Sequence, residues 1–104
     1  MASYAFTVTG GPSGVSKTLV GTTADTVTVT SPGECRIVIL NRGAGTIYAR
    51  TDGTAAVAAA DGTFPIPTGT PSAEFRTTAA SLAISIVGNG DAYSVIGLAY
   101  GTWT

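Results

Sequence analysis

The chain contains no histidine, and much of what it is not equipped to do follows from that. Imidazole is the usual general base near neutral pH and the commonest metal ligand, so His-dependent triads and His-built metal centres are excluded. Cys35 is the one cysteine. A single thiol closes no internal disulfide and builds no multi-thiolate metal site, which leaves burial and backbone pairing as the sources of stability. Charge is also scarce, at 11% of residues, against roughly 25% in an ordinary soluble domain. The basic residues stand at 17, 36, 42, 50 and 76, too scattered for the positive face that phosphate neutralisation requires, so nucleic acid is not an expected partner. No apolar run approaches the length of a membrane-spanning helix, and the opening MASYAFTVTGG has neither the basic nor the apolar region of a signal peptide. Synthesis in the cytoplasm, with no membrane partner, is the expectation.

What fills the chain is small and uncharged: eighteen Thr, eight Ser, sixteen Ala and fourteen Gly among 104 residues. Such side chains have few rotamers to freeze, so a surface made of them loses little entropy when pressed against another protein. The net charge of −1 adds little self-repulsion between copies. At this length one domain is expected, spanning 1–104, with residues 1–3 and 101–104 as contact tails.

The apolar positions recur at period two in runs of β-branched residues, the pattern of half-buried strands. Tyr4, Phe6 and Val8 alternate with Ala5, Thr7 and Thr9 before GGPSG breaks the run. Val15 to Val20 is a weaker strand candidate, and DTVTVT from Asp25 to Thr30 alternates cleanly. SPGE after it has Pro and Gly at the centre of a type II turn. Glu34 to Asn41 carries Cys35, Ile37 and Ile39 on one side and Val38 and Leu40 on the other, as a central or interface strand would. Thr46 to Thr51 follows the turn NRGAG, with Ile47 and Ala49 opposite Tyr48 and Arg50. AAVAAA, between two Asp-Gly turns, fits either a short strand or a helical turn. FPIP has two prolines and belongs at a sheet edge. Ala73 to Thr77 is a short strand, and Leu82, Ile84 and Ile86 mark a clear one. GNGD then predicts a type I′ hairpin turn returning Ala92 to Tyr100 as the partner strand. About eight short strands at this spacing predict an all-β, single-domain antiparallel β-sandwich or small barrel, jelly-roll or Ig-like.

Candidate chemistry is sparse. Ser13 in GPSG has neither the G-x-S-x-G spacing nor a base, and reads as a turn. Cys35 occupies a core-facing strand position, where a free thiol behaves as a small hydrophobe. Asp52 and Asp61 sit in Asp-Gly turns without the spacing of a calcium loop; turn chemistry explains them, and a calcium ion shared with other loops stays open. No catalytic residue, cofactor or metal is expected. Arg36 and Arg50 fit solvent-facing roles, but Tyr and Arg are enriched at binding hot spots, and Tyr48 and Arg50 share a strand face. With Tyr4, Tyr100 and the single tryptophan, Trp103, they are the interface candidates.

The stretch NRGAGTIYARTDGTAA, residues 41–56, follows an apolar strand and precedes a second Asp-Gly turn. It resembles small all-β virion proteins of tailed phages, notably those infecting actinobacteria, in which a strand ends in Asn-x-Gly and the next carries Ile-Tyr-x-Arg before Asp-Gly-Thr. The likeness covers about residues 27–65. It implies a virion structural protein, a head decoration protein on the capsid exterior, bound to the major capsid protein and to copies of itself, often as a trimer. It brings no catalytic residues. Two other roles are weighed against it: a tail, fibre or host-surface module binding carbohydrate, which needs aromatics along a groove, and a small hydrolase on a β scaffold, which lacks a base.

Overall fold

The computed structural model describes residues 2–8, 13–31, 33–51, 56–57, 63–68, 73–77 and 80–99, the stretch 73–77 and residue 99 by backbone alone. Among these residues there is no helix, and there are nine strands: β1 (Ser3–Thr7), β2 (Ser13–Thr18), β3 (Asp25–Thr30), β4 (Cys35–Asn41), β5 (Ile47–Arg50), β6 (Phe64–Ile66), β7 (Ala73–Thr77), β8 (Ser81–Val87) and β9 (Ala92–Ala99). They form a five-stranded sheet in the order β1-β3-β8-β5-β6 and a four-stranded sheet in the order β2-β9-β4-β7. This is the small β-sandwich the alternating pattern predicts.

The core is the sum of the inward-facing residues of that pattern. Val27 and Val29 from β3, Ile47 and Ala49 from β5, and Ile84 and Ile86 from β8 bury against Cys35, Ile37 and Ile39 of β4 and Tyr93 and Val95 of β9. Each buried aliphatic side chain of this size contributes roughly 1.5–3 kcal/mol relative to exposure. Cys35 is fully buried, as expected of a thiol acting as a hydrophobe. On β4 the alternation is complete: Arg36 is exposed and Val38 and Leu40 are half-buried between the buried residues. β8 departs from it, because Ser85 and Val87 on its outer face are buried too. Ala56, from the connection after β5, is buried, and its N–H donates to Ser85 Oγ at 2.8 Å.

Pairing departs from expectation more than strand position does. Of the connections between consecutive strands, only β5 to β6 stays within one sheet; every other passes to the opposite layer. GNGD therefore does not make a hairpin. β8 pairs with β3 and β5, whereas β9 pairs with β2 and β4. Gly90 does adopt a positive φ of 71°, as an Asn-Gly turn requires. Its N–H, however, donates to Gly21 O of another loop at 2.9 Å, and the Leu19 N–H donates to Asp91 O at 2.9 Å. The reversal is satisfied by a neighbouring connection and not by its own flanks, so the chain arches between sheets. NRGAG likewise joins β4 to β5 across the layers.

The sheets are also not wholly antiparallel: β1 runs parallel to β3, from Ser3 opposite Thr26 to Thr7 opposite Thr30. β1 leads first to β2 in the other layer, and two crossings return the chain to the first sheet in its original direction. Ser13 and Gly14, read as part of a turn, open β2 instead. FPIP does lie at a sheet edge, as β6. Pro32 of SPGE, both Asp-Gly turns at 52–53 and 61–62, most of AAVAAA and the tail from residue 100 lie outside the described residues.

Candidate functional site

Three arches meet at one end of the sandwich: the β2–β3 connection, the β4–β5 connection and the β8–β9 connection. Asp91 joins them. Its Oδ1 accepts from the Gly45 N–H at 2.9 Å, its Oδ2 from the Asn89 N–H at 3.0 Å, and its main-chain carbonyl from the Leu19 N–H. The donors of Asn89, Gly45 and Ala44 hold its carboxyl below the usual carboxylate range, against the opposing effect of burial. Gly43 is the close neighbour that permits this. A Cβ there would lie 2.6 Å from Asp91 Cβ and 2.9 Å from its Cα, closer than real carbon atoms approach.

Asn41, at the end of β4, organises the same arch from the other side. Its Nδ2 donates to Gly45 O at 2.7 Å and to Ile66 O at 2.8 Å, and its Oδ1 accepts from the Gly43 N–H at 2.9 Å. The Thr68 hydroxyl closes the loop by donating to Gly43 O. Asn-x-Gly is therefore a side chain and a backbone that complete one another, and the Asn-x-Gly-x-Gly spacing places each partner in reach.

A second buried polar pair spans the two layers. The Tyr93 hydroxyl on β9 donates to Asp25 Oδ2 on β3 at 2.9 Å, with both residues all but inaccessible to solvent. Burial, and then the Asp25 carboxylate it faces, push the Tyr93 phenol above its ordinary range. Tyr93 is thus held neutral, as a donor. Among the described residues no buried side-chain nitrogen or oxygen lacks a hydrogen-bond partner.

Beside Asp91 lies a shallow groove of about 650 Å³, lined in part by Thr22, Thr46, Tyr48, Asn89 and Asp91. A smaller cleft of about 270 Å³ lies between Ala2, Val20, Thr23 and Asp25. The groove's lining brings together the hydroxyls of Thr22 and Thr46, the Asn89 amide and Tyr48. It offers poor acid–base chemistry, because both Asp91 oxygens are already engaged by backbone donors and the carboxyl is a weakened base. Among the described residues, no three metal-ligating side chains cluster.

The interface candidates do not form one patch. Tyr48 and Arg50 share the outer face of β5, both half-buried, as the alternation predicts. Tyr4 is half-buried on β1, opposite Val27 in register and therefore facing inward, with the Lys17 ammonium 4.7 Å from its ring centre. Tyr4 and Tyr48 thus sit on opposite faces of one sheet. Tyr100 and Trp103 lie outside the described residues. Asn41, Asp25, Tyr93 and Asp91 were not singled out by sequence reasoning. Asn41 and Asp91 stand in turn motifs, where their side chains pass for local turn chemistry, and nothing in the sequence pairs Asp25 with Tyr93.

No protein-family model matches the chain, and no curated protein sequence matches it. Among solved structures, the chain is similar to the pre-peptidase C-terminal domain of a collagenase from Bacillus anthracis, with a TM-score of 0.51 and 17% identity over 90% of this chain and 91% of that one. At that identity the likeness concerns the β-sandwich fold alone.

Proposed function

We propose that this chain is a non-enzymatic structural protein of a phage virion, a decoration protein that seats on the outer surface of the head. Its partners are the major capsid protein and copies of itself, and it reaches the capsid surface after synthesis in the host cytoplasm. The observation that carries the non-enzymatic part is the use made of Asp91, whose two carboxylate oxygens are spent on the backbone donors of Gly45 and Asn89 while its main-chain carbonyl takes that of Leu19. The virion part rests on the resemblance of residues 41–56. The Asn41–Gly43–Gly45 arch gives that motif a reason to recur in proteins that need a rigid sandwich end. A surface rich in Thr, Ser and Ala suits permanent contact, since little side-chain freedom is lost there.

The test is reconstitution. Purified protein mixed with undecorated capsids is expected to bind to a saturating stoichiometry, and mass spectrometry of intact particles to find many copies per virion. Absence from the particle would end the reading.

The groove beside Tyr48 supports a second reading, a host-surface module that binds carbohydrate, with the tyrosine ring as the stacking platform. Binding to host cell walls, abolished by Tyr48→Ala, together with a few copies per particle, would select that reading over the first.

A further inference from the structure

The buried pair of Asp25 and Tyr93 leaves one polar atom without a described donor. Asp25 is only 2% exposed, and its Oδ2 accepts from the Tyr93 hydroxyl. No described residue donates to its Oδ1. Every fully buried side-chain oxygen among the described residues has a partner, so Oδ1 is the atom through which Asp25 reaches solvent. The opening is the cleft of about 270 Å³ that Asp25 lines together with Ala2, Val20 and Thr23. Backbone bonds fix its walls. The Thr26 N–H donates to Ala2 O at 2.9 Å, and the Thr23 N–H donates to Val20 O at 3.2 Å across a turn in which Gly21 takes a positive φ of 56°. Val20 in that lining is 77% exposed, one of the large hydrophobics left open to water among the described residues. Among the described residues no cation forms an ion pair with Asp25. Lys17, in register with Tyr93, instead sets its ammonium 4.7 Å from the centre of the Tyr4 ring.

We propose that this cleft binds an alkylammonium group, the cation resting against Asp25 Oδ1 and its carbon stem lying along Val20 and Ala2. The lining selects that class. A nearly buried carboxylate oxygen without a donor calls for a cation that brings hydrogen-bond donors of its own. A guanidinium sets two parallel N–H groups against both oxygens of a carboxylate, and here one of them is already taken by Tyr93. A calcium ion needs several more oxygen ligands, and among the described residues no three metal-ligating side chains cluster. An ammonium is compact and carries three donors on one atom, enough for Oδ1 and the Thr23 hydroxyl, while its stem suits the two apolar residues. The volume of about 270 Å³ falls below the roughly 300–1,000 Å³ of pockets that enclose a whole ligand. The cleft therefore takes the end of a chain, which a free amine and the lysine side chain of another protein present alike. This site does not depend on the capsid role proposed above.

The experiment is amide NMR of the full chain at low ionic strength, titrated with n-butylammonium chloride, with n-butanol as the neutral counterpart and sodium chloride as the ionic control. Saturable shifts centred on Ala2, Val20, Thr23 and Asp25 are expected with butylammonium and with neither control. Asp25→Asn keeps an oxygen for the Tyr93 hydroxyl and is expected to weaken binding at least about tenfold, as the loss of a charge-assisted hydrogen bond would. Val20→Ser, at an exposed position, is expected to weaken it by a smaller factor through the stem. Nα-acetyl-lysine methylamide separates the two sources: binding as tight as that of butylammonium assigns the cleft to a lysine side chain, exclusion assigns it to a free amine, and either supports the site. The absence of a saturable shift, an equal response to butanol or sodium chloride, or an Asn variant that binds like the wild type overturns the proposal. If the Asn variant proves unfolded, Val20→Ser and the wild-type shift map decide. Shifts confined to the cleft and weakened by Val20→Ser support the site, and shifts centred elsewhere or indifferent to that change refute it.

Discussion

Asp91 shows how one side chain substitutes for several turns' worth of local hydrogen bonding. Replacing it with Asn keeps the shape but sets an amide NH₂ against a backbone N–H that the second carboxylate oxygen had accepted. A buried donor left without a partner costs about 1–3 kcal/mol, so Asp91→Asn is expected to unfold at lower urea at pH 7. The pH dependence has a definite sign. The folded carboxyl lies below its ordinary value of 3.8, so its contribution is fully present above that pH and is lost as the pH falls through the folded value. Urea titrations of wild type and variant should converge as the medium is acidified below 3.8; a gap that persists unchanged in acid would show that charge is not what the site uses. Turn chemistry made Asn41, Asn89, Gly90 and Asp91 legible as a place where the chain reverses. It did not show that these side chains serve other loops, because the partners come from elements distant in sequence.

At the scale of elements, strands were readable and their partners were not. Period-two alternation places β3, β4, β5 and β8 within a residue or two of where they lie, since it follows directly from which side chains must avoid water. FPIP and Ala73 to Thr77 were placed by proline and by flanking turns. β1 beside β3, and β8 apart from β9, were beyond that method. An Asn-Gly turn has the same local geometry whether the next strand joins its neighbour or crosses to the other layer; long-range packing decides between them. The arrangement has a consequence for local stability. β8 and β3 are flanked on both sides in one sheet, and β9 and β4 in the other, while β1, β2, β6 and β7 are edges. Native-state amide exchange is expected to be slowest in β3, β4, β8 and β9 and fastest in the edge strands β1, β2, β6 and β7. Uniform protection across β6 and β8 would contradict this order.

For the molecule as a whole, closure depends on strands far apart in the chain. β9 lies between β2 and β4, with Lys17 and Asn41 both in register with Tyr93. Removing everything from residue 92 onward would leave β2 and β4 without their shared partner, take Tyr93 and Val95 from the core, and strand Asp25 without its phenol. Such a truncation is expected to lack a cooperative thermal transition and the circular dichroism of a folded sheet protein. A cooperative melt from the truncated chain would show that the five-stranded sheet stands alone. Non-local pairing of this kind also predicts slow folding, in the millisecond-to-second range typical of sandwiches.

Backbone that passes so often from one layer to the other laces the layers together. Prising them apart would require most of the connections to straighten at once, and the Asp91 clamp would have to release three of them together. Failure of this sandwich should therefore be abrupt: it stays whole under a rising load and then comes undone in a single event, without shedding one sheet first.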